Sequence, residues 1–153
     1  RPIFEKIKLS LNDFDARENV LNCIKAAKWC CANKLYQQAT TMLEEGLGTF
    51  LCCHYQLDYR KMANRDAIFG CISIKTQNKD IEENKANKEL VEKILADDSV
   101  WGNKAFVTIL QKIVELRNDY NHAGFKKNPF SAKKVIEKIE ELLDGIEEVL
   151  SEI

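Results

Sequence analysis

Val20, Leu21, Ile24, Ala27 and Cys31 recur at helical spacing and predict a first helix over about 13–33. Asn33 and Lys34 mark a short break. Leu35, Ala39, Met42, Leu43, Gly46, Leu47, Phe50 and Leu51 then trace one stripe of a second long helix, ending near Tyr55. Gly46 and Gly48 weaken that helix by roughly 1 kcal/mol each relative to alanine, so close packing against a neighbour is the better reason for them. A shorter helix is predicted from about Asn64 to Thr76. The polar stretch Gln77 to Asn87 reads as a loop grading into a helix around Leu90, Val91, Ile94 and Leu95, and Asp97 to Gly102 reads as a break. Asn103 is a good N-cap for a helix running to about His122, where Gly124 stops it. Pro129 and Ser131 introduce a last helix whose apolar seam is Val135, Ile139, Leu142, Ile146, Val149 and Ile153. No stretch reads as a strand and no internal repeat occurs. The expectation is an all-α protein, one domain over 1–153, built as a bundle of five or six helices. Short connections make them mostly antiparallel.

Composition adds little to that picture until it is read locally. Hydrophobic residues at 45% and charged residues at 31% are ordinary for a globular domain. No apolar run approaches the ~20 residues needed to cross a bilayer and no signal-peptide pattern opens the chain, so no membrane partner and a cytoplasmic location are expected. The chain starts at Arg1 followed by Pro2, which reads as a processed chain or a piece of a longer protein. Six cysteines (Cys23, Cys30, Cys31, Cys52, Cys53 and Cys71) lie in helical patterns among apolar residues with no CxxC spacing. They are read as reduced structural thiols, with a transition-metal site as the second reading. Net charge is −1, which argues against an overall basic nucleic-acid binder. Between Asn103 and Phe130, however, five cations (Lys104, Lys112, Arg117, Lys126, Lys127) face two acids (Glu115, Asp119). From Ser131 onward, seven acids outnumber three lysines.

Candidate chemistry concentrates in Leu116-Arg117-Asn118-Asp119-Tyr120-Asn121-His122-Ala123-Gly124. With Phe106 at zero and ~100° per residue, Ile109, Leu110, Ile113, Leu116 and Tyr120 share one helix face, and Arg117 falls inside it at about 20°. A guanidinium does not lose its proton and is costly to bury alone. Arg117 therefore needs an internal acid, a dimer partner or an anionic ligand such as phosphate. His122 lies in the final turn, where the helix C-terminus favours the protonated imidazole and raises its pKa. A histidine titrating near neutrality beside a fixed cation suits phosphodiester cleavage: the imidazole moves protons and Arg117 stabilises charge on the phosphate. Asn118 and Asn121 are placed to orient substrate or imidazole. Positions five apart lie ~140° apart on an ideal helix. Arg117 and His122 of one chain thus meet in one pocket only if the helix end distorts or two chains pool their residues.

Arg117 to His122 matches the R-x4-H motif of the HEPN (higher eukaryotes and prokaryotes nucleotide-binding) ribonucleases, with a polar Asn118 directly after the arginine. Leu116 to Phe125, and the stretch around Trp29, Leu35, Gln37-Gln38-Ala39, Thr41 and Glu44-Glu45, resemble the HEPN domains of CRISPR-associated Csx-type proteins, over roughly Asp15 to the C-terminus. The resemblance implies a HEPN-like helical bundle that forms a homodimer with a composite site. It implies cleavage of single-stranded RNA without metal or other cofactor, the 2′-hydroxyl attacking the adjacent phosphate. In that scheme His122 is the catalytic histidine, Arg117 binds phosphate, and Asn118 supports them. Relatives of this type carry a CARF (CRISPR-associated Rossmann) domain sensing cyclic oligoadenylate. This chain has no strand-rich segment or glycine-rich loop of that kind, so a missing sensor domain is expected.

Plainer readings stand beside these. Arg117 and His122 read alternatively as a buried arginine satisfied by a carboxylate and a solvated histidine at a helix end. The chain is then a catalytically silent HEPN dimerisation or nucleotide-binding module; a HEPN toxin is a further alternative. Gln37, Gln38, Glu44 and Glu45 read as a solvated face, with the alternative that one of the acids pairs with Arg117. Lys126 and Lys127 read as solvated loop lysines or as an RNA-backbone contact together with Asn121. His54, beside Cys52 and Cys53, reads as a plain helix residue, with metal or redox chemistry as the alternative.

Overall fold

The computed structural model describes residues 19–83, 87–121 and 130–153, and among these every regular element is helical. Helix α1 spans Asn19–Ala32, α2 Tyr36–His54, α3 Met62–Gln77, α4 Lys88–Leu95, α5 Asp98–Trp101, α6 Lys104–Asn121 and α7 Ala132–Ser151. A single 3-10 turn, Ile81–Glu83, lies between α3 and α4. Six of these helices fall where the sequence predicts helices. The seventh, α5, corrects the reading of 97–102 as a break. Asp97 accepts the Ser99 N–H (3.1 Å) and Asp98 stands in the first turn, so one turn winds where no helical period can show.

The ends of the long helices have local causes. α1 stops at Lys34, whose φ of 63° lets the Leu35 N–H donate to the Cys30 carbonyl (2.8 Å) and the Lys34 N–H to the Cys31 carbonyl (2.9 Å). The same arrangement ends α2, with Gln56 at φ 55° and the Leu57 N–H bonded to the Cys52 carbonyl (2.7 Å). Asn103 caps α6 by accepting the Phe106 N–H (3.1 Å), and Ser131 caps α7 by accepting the Lys134 N–H (3.3 Å). The Asn103 cap is the one the sequence predicts, and Ser131 stands at the predicted start of the last helix.

Helix α2 is the hub, touching α1, α3, α6 and α7. Its Glu44 meets Arg117 and its Phe50 meets Phe106, so α2 and α6 run antiparallel. Lys112–Glu141 (3.1 Å) and Lys138–Glu115 (3.1 Å) set α6 antiparallel to α7 in the same way. The core gathers Leu43, Leu47 and Leu51 of α2, Phe106, Leu110 and Leu116 of α6, and Ile139, Leu142 and Ile146 of α7. All six thiols are unbridged, and Cys30, Cys52 and Cys71 are buried as small apolar groups. No helix of the described residues is long and apolar enough to cross a membrane.

The glycines of α2 sit where helices approach closely. A Cβ on Gly46 would lie 2.6 Å from the Cys23 Cβ of α1, and one on Gly48 would lie 2.7 Å from Cζ of Phe69 on α3. The Cys23 Cβ is fixed to its backbone, so α1 itself must move to admit a methyl group, whereas the Phe69 ring can swing. Gly46→Ala is therefore expected to cost about 1–3 kcal/mol despite alanine's better helix propensity, read from the urea midpoint. Gly48→Ala should cost distinctly less. Equal stability of Gly46→Ala and the parent would show that α1 is not held against α2 as described.

Candidate functional site

Thr40, Glu44, Leu47 and Leu51 form one stripe of α2, and three of them are at most 2% exposed. Glu44 is the charged member of that stripe, its side chain 14% exposed. A small void of about 10 Å³ beside it is walled by Leu47, Phe69, Ile72, Leu110, Ile113 and Val114. A carboxylate in such surroundings needs a partner, and α6 supplies it: Nη1 of Arg117 donates to Oε1 of Glu44 at 2.5 Å. Burial nevertheless pushes the Glu44 carboxyl above its ordinary range, outweighing the pull of Arg117 in the other direction.

Arg117 follows the expectation in register and departs from it in exposure. Its neighbours Ile113, Val114 and Leu116 are buried, yet its own side chain is 40% exposed. Among the described residues its Nε is buried with no hydrogen-bond partner. An acid within the same chain thus supplies the counter-charge, and pairing of two chains is not required to neutralise this guanidinium. The adjacent Glu45, ~100° round the helix, is paired instead with Arg65 of α3. Arg65 also donates to Thr49 Oγ1 (3.3 Å) and lies over the Phe69 ring, 5.3 Å from its centroid. Gln37 and Gln38 are exposed.

The other predicted residues are only partly placed. Asn118 is half-buried on α6. Asn121 is the last residue of α6, and nothing is described of its side chain. His122, Lys126 and Lys127 lie outside the described residues, as does Gly124, so the geometry between Arg117 and His122 is outside them as well.

Asp119 was not singled out in the sequence, and the fold makes it structural. It is 7% exposed, and its carboxylate accepts the Phe130 N–H at 3.1 and 3.3 Å, tying the end of α6 to the start of α7. Tyr120, next along, packs near Tyr36, and burial first, then Cys31 and Asp119, push its hydroxyl up to about 12. It remains a hydrogen-bond donor at neutral pH.

His54 shows a modest arrangement of its own at the other end of α2. Its Nε2 lies 3.6 Å from Oδ2 of Asp97, which also accepts from the Tyr55 hydroxyl at 3.3 Å. Among the described residues no three His, Cys, Asp or Glu side chains gather as a metal site. No family model, no curated protein and no solved structure matches this chain. The likeness to HEPN domains therefore rests on the residues themselves.

Proposed function

We propose that this chain is a metal-independent endoribonuclease domain of the HEPN kind, acting on single-stranded RNA as part of a CRISPR-associated defence protein. The observation that carries the reading is Arg117. It is a permanent cation on an otherwise apolar stripe, held by Glu44 near the end of α6 with its side chain 40% exposed, four residues before the helix ends at Asn121. Such a pre-positioned guanidinium stabilises charge that develops on a phosphate without reorganising. His122 follows directly and is the proton carrier in this scheme, with Asn118 in support. Lys126, Lys127 and Asn121 are assigned to the RNA backbone. The composite site is completed by a second copy of the chain, and a sensor domain responding to cyclic oligoadenylate regulates the longer protein.

One observation favours the silent reading. Arg117 already has a counter-charge at 2.5 Å, which is what a purely structural ion pair requires. The two readings separate on one experiment, incubation of end-labelled single-stranded RNA with the chain in excess EDTA. The expected result is cleavage that leaves 2′,3′-cyclic phosphate and 5′-hydroxyl ends and is lost in His122→Ala. Intact RNA at micromolar protein, both for this chain and for it joined to its sensor domain, would establish the silent module. Cleavage undiminished in His122→Ala would remove that residue from the chemistry.

A further inference from the structure

Three openings in the described surface differ sharply in what they can hold. The void beside Glu44, at about 10 Å³, admits no more than a water. A hollow of about 350 Å³ on the α1–α2 face is lined by Met42, Thr49, Ala26 and Asn22 with one ring, Tyr59. Nothing charged lines it, and nothing marks what would cover it. The third is a cavity of about 330 Å³ where the start of α2, the end of α6 and the start of α7 converge. Its walls include the rings of Tyr36, Tyr120 and Phe130, the apolar Val135 and Ile136, and one charged residue, Asp119.

We propose that this third cavity is a subsite for a nucleobase of single-stranded RNA, next to the phosphate engaged by Arg117. This rests on the ribonuclease reading and names a contact of that same site. Four features carry it. The volume falls at the lower end of the ~300–1,000 Å³ range of small-ligand pockets, the size class of one nucleoside. Three half-buried aromatic rings from three separate helix ends line one opening, and unpaired bases are held by stacking on such rings. Lys138 and Lys134 stand over the Phe130 ring, their Nζ atoms 4.8 and 5.5 Å from its centroid. Lys138 is shared with Glu115 at 3.1 Å and Lys134 has no acidic partner among the described residues; both reach the Phe130 ring that walls the cavity, without lining the cavity themselves. Finally, Tyr120 lies three residues beyond Arg117, ~4.5 Å along the helix axis and ~60° round it, within the span of one nucleotide. Asp119 acts as a positioning residue, its carboxylate fixing the Phe130 backbone and hence the ring. The hydroxyl of Tyr120, protonated at neutral pH, supplies a donor to a base edge.

The test uses the full chain and a 12-nucleotide single-stranded RNA, 2′-O-methylated throughout so that it is not cut, carrying 4-thiouridine or 6-thioguanosine. Affinity is read by fluorescence anisotropy, and photo-cross-links are mapped by mass spectrometry. Tyr36→Leu and Phe130→Leu keep apolar bulk and remove the π-face, and circular dichroism checks that they fold. Each is expected to weaken binding roughly 5- to 100-fold, with cross-links on the peptides bearing Tyr36, Tyr120 or Phe130. An oligomer of abasic ribose phosphates should bind equally to parent and variants. Unchanged RNA affinity in both variants, cross-links confined elsewhere, or no RNA binding at all would overturn the proposal. So would a change in sedimentation alone, which would assign the cavity to a second copy of the chain. Because the RNA is uncleavable, the result is independent of catalysis. Cross-links in the pocket with no cutting of unmodified RNA, by this chain or by it joined to its sensor domain, would keep the base site and remove the ribonuclease reading.

Discussion

Under single-turnover conditions, Arg117→Ala is expected to lower RNA cleavage by about 10²–10³-fold, the loss typical of removing one pre-positioned donor from a developing oxyanion. Arg117→Lys should recover only part of it, because an ammonium is a point charge without the planar fork that can hold Glu44 and a phosphate together. Glu44→Gln separates the two roles the carboxylate can have. The amide keeps an acceptor for Arg117 and removes a negative charge 2.5 Å from the cation. If Glu44 only orients Arg117, cleavage stays within a few-fold of the parent and RNA binds more tightly, since no carboxylate competes with phosphate. A drop as deep as that of Arg117→Ala would instead make the charge of Glu44 essential. Cleavage unchanged in Arg117→Ala, with the protein still folded, would leave the pair as a structural tie only.

The same variant has a signature in stability. Burial raises the folded-state pKa of Glu44 above its ordinary value of 4.5. The native state then holds this proton over a range where the unfolded state has lost it, and stability falls as pH rises through that range. Below it both proteins have a neutral side chain. Glu44→Gln should therefore gain stability relative to the parent as pH climbs from about 4 and hold a constant advantage once the native carboxyl is ionised. A parent that gains on the variant over that range would mean that the attraction of Arg117 exceeds the cost of burial.

Much of the fold is legible in the sequence because long amphipathic stripes carry their own period. α2, α6 and α7 are the clearest, and the caps at Asn103 and Ser131 are local chemistry. The one-turn α5 is not legible as a helix, since four residues are too short to show a period. The partner of Arg117 is half legible. Two acids on α2 were eligible, and the stripe Thr40, Glu44, Leu47, Leu51 turns Glu44 inward while Glu45 rotates towards Arg65. Choosing between them requires knowing which helix lies on which side. Asp119 and the aromatic cavity are less accessible still. Tyr36, Tyr120 and Phe130 belong to three elements that only tertiary packing brings together, and the acceptor role of Asp119 depends on a residue eleven positions later.

Packing also predicts where stability can be removed without touching the site. Phe106 is fully buried, and its ring lies 6.5 Å from both Phe50 of α2 and Trp101 of α5, edge-on or tilted to each. Deleting it removes the transfer energy of a large ring together with two aromatic contacts, which are worth ~0.5–1.5 kcal/mol each. The surrounding walls are two further rings anchored on separate helices, so the space left behind closes poorly. Phe106→Ala is accordingly expected to lower the free energy of unfolding by about 3–5 kcal/mol, with an unchanged denaturant slope. Against a typical total of ~5–15 kcal/mol that is the largest single-residue loss proposed for this chain. Phe106 stands eleven residues before Arg117, ~16 Å along α6. Well below its melting temperature, the variant should therefore bind and cut RNA as the parent does. A loss of cleavage in fully folded Phe106→Ala would show that the two ends of α6 are coupled, and that the site depends on the α2–α6 aromatic contact as well as on Glu44 and Arg117.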